Sequence, residues 1–236
     1  MKKVLLKISG ELFTSYEMEK NKSFLNLVIS QIKKLQKDVI FHFVVGGGNF
    51  FRGNQHGRVL SLTDSVGHSI GMLATIMNGL ILYDLLSSSG VSVKMLGSVN
   101  IPGYVEIAAE PLIRKSLNKG ESIIFVGGTG FPFFSTDTNA VIRALQVRAN
   151  EVWKGTKKDY VYSGDPAKGS KCVPLKNLTY DDALQQRLAF MDKTALSIAQ
   201  EHDLLLRVFN IFNDNSLYNV YTDKDFGSTV SNNVVN

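Results

Sequence analysis

Cysteine is nearly absent from this chain of 236 residues: Cys172 stands alone, so neither a disulfide framework nor a cysteine zinc cluster can form within one chain, and a reducing cytoplasm is the expected setting. Lys171 and Lys176 lie near it, yet no motif of a cysteine nucleophile surrounds it. The four histidines, His42, His56, His68 and His202, show no metal-ligand spacing, which argues against a metal held by histidine. Nowhere does the chain read Gly-x4-Gly-Lys-Ser/Thr, so a P-loop kinase is disfavoured. Low-complexity tracts and internal repeats are missing, and the chain is expected to be globular throughout. The basic start, Met1-Lys2-Lys3-Val4, leads into an apolar segment only a strand long that meets Lys7 at once, which gives no secretory signal. The most apolar stretch, Ile70 to Tyr83, is interrupted by Asn78 and ended by Asp84, short of the roughly 20 residues that a membrane span needs. It reads instead as a helix apolar on nearly every face (Ile70, Leu73, Ile76, Met77, Leu80, Ile81), buried in the core or against another subunit.

What is present is an ordinary core and an excess of positive charge. A formal charge of +5 would suit a polyanion, but its distribution narrows the choice. Lys33, Lys34 and Lys37 fall on the solvated face of an amphipathic helix, while Lys154, Lys157 and Lys158 flank Gly155 and Thr156 in the densest basic group. That grouping favours a polyphosphate over a duplex, and basic and aromatic residues are not interleaved as an RNA-stacking surface requires.

Apolar, β-rich runs at Val4 to Ile8, Val39 to Val45, Val91 to Leu96, Ser122 to Val126, Glu151 to Trp153 and Leu204 to Val208 alternate with helical patterns at Phe24 to Gln36, Ser65 to Leu86, Thr138 to Arg148, Tyr180 to Leu188 and Lys193 to Glu201. The alternation predicts an α/β fold with a mostly parallel sheet covered by helices on both faces. The texture changes near residue 150, where a Lys-, Gly-, Asp-, Ser- and Pro-rich stretch begins, and one domain of two lobes, about 1–150 and 151–236, is expected.

Three of the predicted strands run into glycine loops: Lys7-Ile8-Ser9-Gly10, Gly46-Gly47-Gly48-Asn49-Phe50-Phe51-Arg52-Gly53, and Gly127-Gly128-Thr129-Gly130-Phe131-Pro132-Phe133-Phe134-Ser135-Thr136-Asp137. Glycine lets backbone N–H groups turn toward an anion with no Cβ in the way, and Lys7 and Arg52 supply charge. Each loop alone is also an ordinary strand-to-helix turn; three of them along one chain point to one crevice beyond the carboxyl ends of the strands. Ser135, Thr136 and Asp137 stand where a helix should start, as does Asp192, so all have capping as their simplest role. Asp165, before Pro166, reads on its own as a turn residue.

Taken in order, these segments, with Gly71-Met72-Leu73-Ala74-Thr75-Ile76-Met77-Asn78-Gly79, Lys154-Gly155-Thr156-Lys157, Asp165-Pro166-Ala167, Met191-Asp192 and Arg207-Val208-Phe209-Asn210, resemble the amino acid kinase superfamily and, within it, the bacterial UMP kinase branch. The resemblance covers nearly the whole chain and implies a three-layer αβα sandwich, with a UMP-side lobe before about residue 150 and an ATP-side lobe after it. It implies transfer of the γ-phosphoryl of Mg·ATP to UMP, with Lys7, Arg52, Asp137 and Asp192 as catalytic residues. Lys7, Ile8, Ser9, Gly10, Gly48, Arg52, Thr156, Tyr162 and Asp165 would bind ATP; Gly47, His68, Thr129, Gly130, Phe131, Pro132, Phe133, Phe134, Ser135 and Thr136 would bind UMP. Asp192 would orient Lys7 through a charge-assisted hydrogen bond, and Asp137 would sit near the UMP phosphate. Mg2+ arriving with ATP, feedback inhibition by UTP, a cytoplasmic location and a homo-oligomer, a hexamer built from dimers, are implied as well.

The chain departs from the branch pattern at His68, where an aspartate contacts the ribose, with Asp64 one turn earlier as a substitute. Tyr160 replaces a glycine, which implies a changed loop path, and Leu12 to Glu19 has no glycine where GTP activation is associated with one. The alternatives are a catalytically silent pyrimidine-nucleotide sensor and a kinase of the same superfamily acting on a small acid.

Overall fold

The computed structural model describes residues 1–13, 18–51, 57, 59–164 and 172–233. Along the chain come β1 (Lys2–Ile8), a 3-10 turn (Gly10–Phe13), α1 (Met18–Leu35), β2 (Val39–Val45), α2 (Asp64–Ser88), β3 (Val93–Gly97), β4 (Glu106–Ile107), α3 (Glu110–Asn118), β5 (Ser122–Val126) and α4 (Thr136–Val147). The second part holds β6 (Glu151–Thr156), β7 (Val161–Tyr162), β8 (Pro174–Leu175), β9 (Asn177–Thr179), α5 (Tyr180–Gln185), α6 (Lys193–Glu201), β10 (Leu205–Asn210), α7 (Ser216–Thr222) and β11 (Ser228–Ser231).

Val-, Ile- and Phe-rich strands with few polar interruptions are suited to burial on both faces, and β2 and β5 lie in the middle of the sheet accordingly, beside β1, whose Val4, Leu5, Leu6 and Ile8 are buried between lysines. Nine strands pair in the order β4-β3-β5-β2-β1-β6-β10-β11-β9, with β10 and β11 the antiparallel pair; β7 and β8 form a separate hairpin. Alternation along β1 sends Leu6 and Ile8 to one core with Phe41, Phe43 and Trp153, beneath α1, α2 and α7. Leu5 faces the other core with Val44 and Phe125, beneath α3 to α6. This is the expected αβα sandwich, and its register sets Lys7 of β1 beside Lys154 of β6.

The chain skips one place from β2 to β3, and β5 returns to fill it, so the loops after β1, β2 and β5 leave three adjacent strands at the same end. The helix α2 makes this crossing. With 25 residues it is long and apolar enough to span a membrane by length and composition, where the sequence stretch had seemed too short. Its inner face, Ala74, Ile76, Gly79, Leu82 and Leu86, is buried on the sheet, and a Cβ at Gly79 would have no room against Val126. Its outer face is not buried: Leu73, Met77 and Ile81 are 54%, 50% and 40% exposed.

Several bounds differ from the sequence pattern. The helix α1 starts at Met18, because its first turns, rich in Lys and Asn, carry no apolar periodicity. Strand β6 runs on through Lys154, Gly155 and Thr156, polar or small residues kept extended by pairing with β10. The elements α7 and β11 are too short to announce themselves by periodicity, and α3, Glu110–Asn118, is not read from the sequence either. Arg207 on β10 ties down the end of α7 and the segment that follows it: its guanidinium donates to the carbonyls of Val220 at 3.3 Å, Asp223 at 3.0 Å, Lys224 at 3.2 Å and Phe226 at 2.9 Å.

Candidate functional site

The glycine loops touch one another. Gly46 N–H donates to the Ile8 carbonyl at 2.9 Å, and a Cβ at Gly10 would lie 2.6 Å from both the Asn49 side chain and the Gly46 carbonyl, so only glycine allows the first two loops to meet. Behind them stands α2. Asn78, fully buried, donates to the Gly46 carbonyl at 2.6 Å and to Asn49 Oδ1 at 2.7 Å, while Asn49 donates in turn to Asn78 Oδ1 at 3.2 Å. One turn away, Thr75 Oγ1 accepts the Gly127 N–H of the third loop at 2.8 Å. Gly47 is packed against the α2 backbone, where a Cβ would lie 2.5 Å from the Gly71 carbonyl.

The third loop makes its bend with Gly127, Gly128, Gly130 and Phe133 all at positive φ; Phe133, at 71°, is the strained member. Phe131, Phe133 and Phe134 are exposed, and the His68 ring lies 5.0 Å from that of Phe133. Ser135 then caps α4, its hydroxyl accepting the N–H groups of Asp137 and Thr138 at 3.0 and 3.1 Å.

Charge collects where β1, β6 and the amino ends of α4 and α6 come together. Asp137 pairs with Lys7 at 3.3 Å through Oδ1 and with Lys154 at 2.5 Å through Oδ2. Lys154 also donates to the Phe190 carbonyl. Asp192 caps α6 by accepting the Ala195 N–H at 3.0 Å, and it accepts the hydroxyls of Thr138 at 2.9 Å and of Ser135. The carboxylate partner of Lys7 is therefore Asp137; Asp192, expected in that place, is taken up by the two helix starts. Burial pushes the Asp137 carboxyl up, but the charges and hydrogen bonds of Lys7 and Lys154 outweigh it and hold it below its ordinary value. For Lys154 burial leads and lowers the ammonium below its ordinary value, against the pull of Asp137 and Asp192.

A cavity of about 710 Å³ opens on this cluster, lined by Lys7, Ser9, Lys154, Thr156, Tyr162 and Phe190 among others. Its volume is in the range of pockets that hold small ligands. Lys7, Ser9, Thr156 and Tyr162, four of the residues expected around ATP, thus line one space. Ile8 and Gly10 are buried, and Gly48, half-buried, follows Gly47 in the second loop without lining this cavity. Across its walls Lys157 pairs with Glu11 at 2.8 Å. Arg52 and Asp165 lie outside the described residues, as do Thr14 to Glu17 of the segment without glycine. Tyr160 is not at positive φ, so its turn is unstrained; the neighbouring Asp159 accepts from Asn210 at 3.1 Å and Asn213 at 2.8 Å. Asp64 is exposed in the first turn of α2, one turn before His68.

Among the described residues no group of three His, Cys, Asp or Glu side chains could hold a metal ion, and Asp137 is committed to two ammonium groups. The donor set does not fit a resident metal. Two residues that sequence reasoning gave no role in the site are Lys154, seen in a basic cluster and in one of the family-like segments, and Asn78, seen as the polar break in an apolar helix and in another of those segments.

A doubly wound α/β protein with a cleft of glycine loops and lysines at the carboxyl ends of its central strands is the class that this fold and site define. The sequence model of the amino acid kinase family matches residues 2–210, and the chain belongs to that family. It is 38% identical over 224 residues to a uridylate kinase of Buchnera aphidicola, covering 94% of this chain and 93% of that one. Among solved structures it is similar to the UMP kinase of Ureaplasma parvum, 33% identical with a TM-score of 0.88 and 98% of both chains covered. The UMP kinase of Bacillus anthracis superposes with a TM-score of 0.90 at 26% identity, over 100% of this chain and 99% of that one.

Proposed function

We propose that this chain is a UMP kinase, transferring the γ-phosphoryl of Mg·ATP to UMP to give UDP for pyrimidine nucleotide supply. The observation that carries the reading is the Lys7–Asp137 pair at the head of a nucleotide-sized cavity, in a chain similar over nearly its full length to uridylate kinases. Phosphoryl transfer asks the protein mainly for positioning and for positive charge where oxygens crowd together, and Lys7 with the N–H groups of the glycine loops offers both. The UMP phosphate is already ionised, so no general base is called for.

In this reading the lobe after about residue 150 holds ATP, with Thr156 and Tyr162 on its base and ribose side and Ser9, Gly10 and Gly48 around its phosphates. The lobe before it holds UMP between Gly47, His68 and the loop from Thr129 to Thr136, whose exposed phenylalanines offer flat faces to a base. Arg52 and Asp165 complete the donor set by resemblance. Mg2+ enters bound to the ATP phosphates. The enzyme is a cytoplasmic homo-oligomer, a hexamer, inhibited by UTP, and the exposed stripe Leu73, Met77 and Ile81 on α2 supplies a subunit contact.

The test is a coupled assay of ADP formation with Mg·ATP against UMP, CMP, dUMP, carbamate and acetylglutamate, with GTP or UTP added separately. Strong preference for UMP is expected. Turnover with carbamate or acetylglutamate alone would make the chain a small-acid kinase, and binding of UMP or UTP without any turnover would make it a sensor.

A further inference from the structure

We propose that Asn78 and Ser98 are positioning residues that aim two backbone donors, the N–H groups of Gly47 and Gly128, at the phosphate of UMP. The inference rests on the UMP kinase reading and adds to it two side chains that act through the glycine loops rather than on the nucleotide.

Each works from the far end of a peptide unit. A trans peptide is planar, and its C=O and N–H point in opposite directions, so a side chain that holds one residue's carbonyl also sets the direction of the next residue's N–H. Asn78 donates to the Gly46 carbonyl at 2.6 Å, which turns the Gly47 N–H away from it. The Ser98 hydroxyl donates to the Gly127 carbonyl, and the Gly128 N–H is turned away from Ser98 in the same manner. Both peptide units lie between two glycines, where no Cβ limits the backbone and a flip costs least.

Neither lever is loose. Asn78 is fully buried in α2 and exchanges hydrogen bonds with Asn49, whose amide also donates to the Phe13 carbonyl at 3.3 Å. The Ser98 N–H donates to the Val126 carbonyl at 3.2 Å, and Gly127 is held from its other end, where its N–H donates to Thr75 at 2.8 Å. Ser98 also fills the space beneath the third loop: a Cβ at Gly127 would lie 2.7 Å from its Oγ, and one at Gly130 would lie 3.1 Å from its Cβ.

The donors so aimed are not used within the protein. Among the described residues neither the Gly47 N–H nor the Gly128 N–H has an acceptor, although Gly47 is buried, and a buried N–H without a partner is uncommon in a folded chain. The two are neighbours as well. A Cβ at Gly47 would lie 2.5 Å from the Gly71 carbonyl and one at Gly128 would lie 2.9 Å from Met72 Cγ, so both loops rest on the same turn of α2. Neither glycine lines the cavity around Lys154 and Thr156, which assigns them to the acceptor nucleotide rather than to ATP. Neighbouring loop N–H groups of this kind bind anions.

Asn78→Leu keeps the volume and removes the donor; Ser98→Ala removes only the hydroxyl. UMP is titrated by calorimetry, and uridine, which has no phosphate, is measured by its inhibition of the kinase reaction against UMP. In each variant the Kd for UMP should rise by about 10- to 100-fold, the scale of one hydrogen bond to a charged group, while the Ki for uridine and the KM for ATP stay within about threefold of the wild type. A structural defect alone would weaken uridine and UMP together. An unchanged ratio of those two affinities in either folded variant would overturn the proposal, and if Asn78→Leu does not fold, Ser98→Ala, at its half-buried position, decides alone. A wild-type chain that neither binds nor phosphorylates UMP would bring down the parent reading instead, so the two failures are distinct.

Discussion

Acid should loosen this sheet through His42. The ring lies in the middle of β2 with no exposure, its Nδ1 accepts the Ile123 N–H at 3.2 Å, and its Nε2 has no hydrogen-bond partner among the described residues. Burial above all, with the charge of Lys3 second, lowers its pKa from 6.5 to about 4. Below pH 6.5 the unfolded chain takes up a proton that the folded chain refuses until about pH 4, so the stability contributed by neutral His42 is complete above 6.5 and drains away as the pH falls. At about 1.4 kcal/mol for each pH unit, the interval is worth roughly 3 kcal/mol, a large part of the 5–15 kcal/mol typical of a domain. Asp137, held below its ordinary value of 3.8, adds its own loss only at lower pH, which leaves the window between 4 and 6.5 to the histidine. Urea unfolding at fixed protein concentration, from pH 7.5 down to 4.5, would compare the wild-type chain with His42→Gln, whose amide oxygen can still accept from Ile123. The wild type should lose about 2 to 3 kcal/mol more than the variant over that range. Parallel loss in the two chains would refute the reasoning.

Other perturbations address the cleft and the outer surface. Lys7→Ala should lower kcat by about 100-fold or more with the circular dichroism unchanged, and full turnover would remove Lys7 from the mechanism. Gly47→Ala puts a Cβ 2.5 Å from the Gly71 carbonyl and 3.0 Å from Thr75 N, helix backbone that cannot step aside. A loss of about 1 to 3 kcal/mol in thermal unfolding and a raised KM for UMP are expected, and neither should appear if the loop is free to move. Met77→Asp, on the exposed face of α2, should shift sedimentation to a smaller species; an unchanged sedimentation coefficient would take that face out of the subunit contact.

Much of this was legible in the sequence, for physical reasons that can be named. The strands β2 and β5 and the helix α6 are read with their observed bounds, because continuous apolar runs and an aspartate cap leave little choice. Ser135 and Asp192 were recognisable as helix starts, and both cap as expected. What was not legible depends on contacts between distant segments. Which carboxylate meets Lys7 is decided by how α4 and α6 seat on the sheet, and no local pattern separates Asp137 from Asp192. The role of Lys154 is not local for the same reason, since it looks like Lys157 and Lys158 until the register with β1 sets it beside Lys7 and the seating of α4 brings Asp137 within 2.5 Å. Which side of α2 meets the sheet was not legible either, because a helix apolar on nearly every face gives no pattern that separates Leu82 from Ile81.

The two ends of the nine-stranded sheet are β4, of two residues, and β9, of three. An open sheet normally offers its rims as templates for another strand, and a short rim gives an incoming chain too few backbone groups to hold. At β4 the residue Glu106 is also tied to Lys94 at 2.5 Å, which sets a charge pair along that border. The two rims of the large sheet thus offer little to an incoming strand, and continuation of that sheet from one copy to the next is disfavoured.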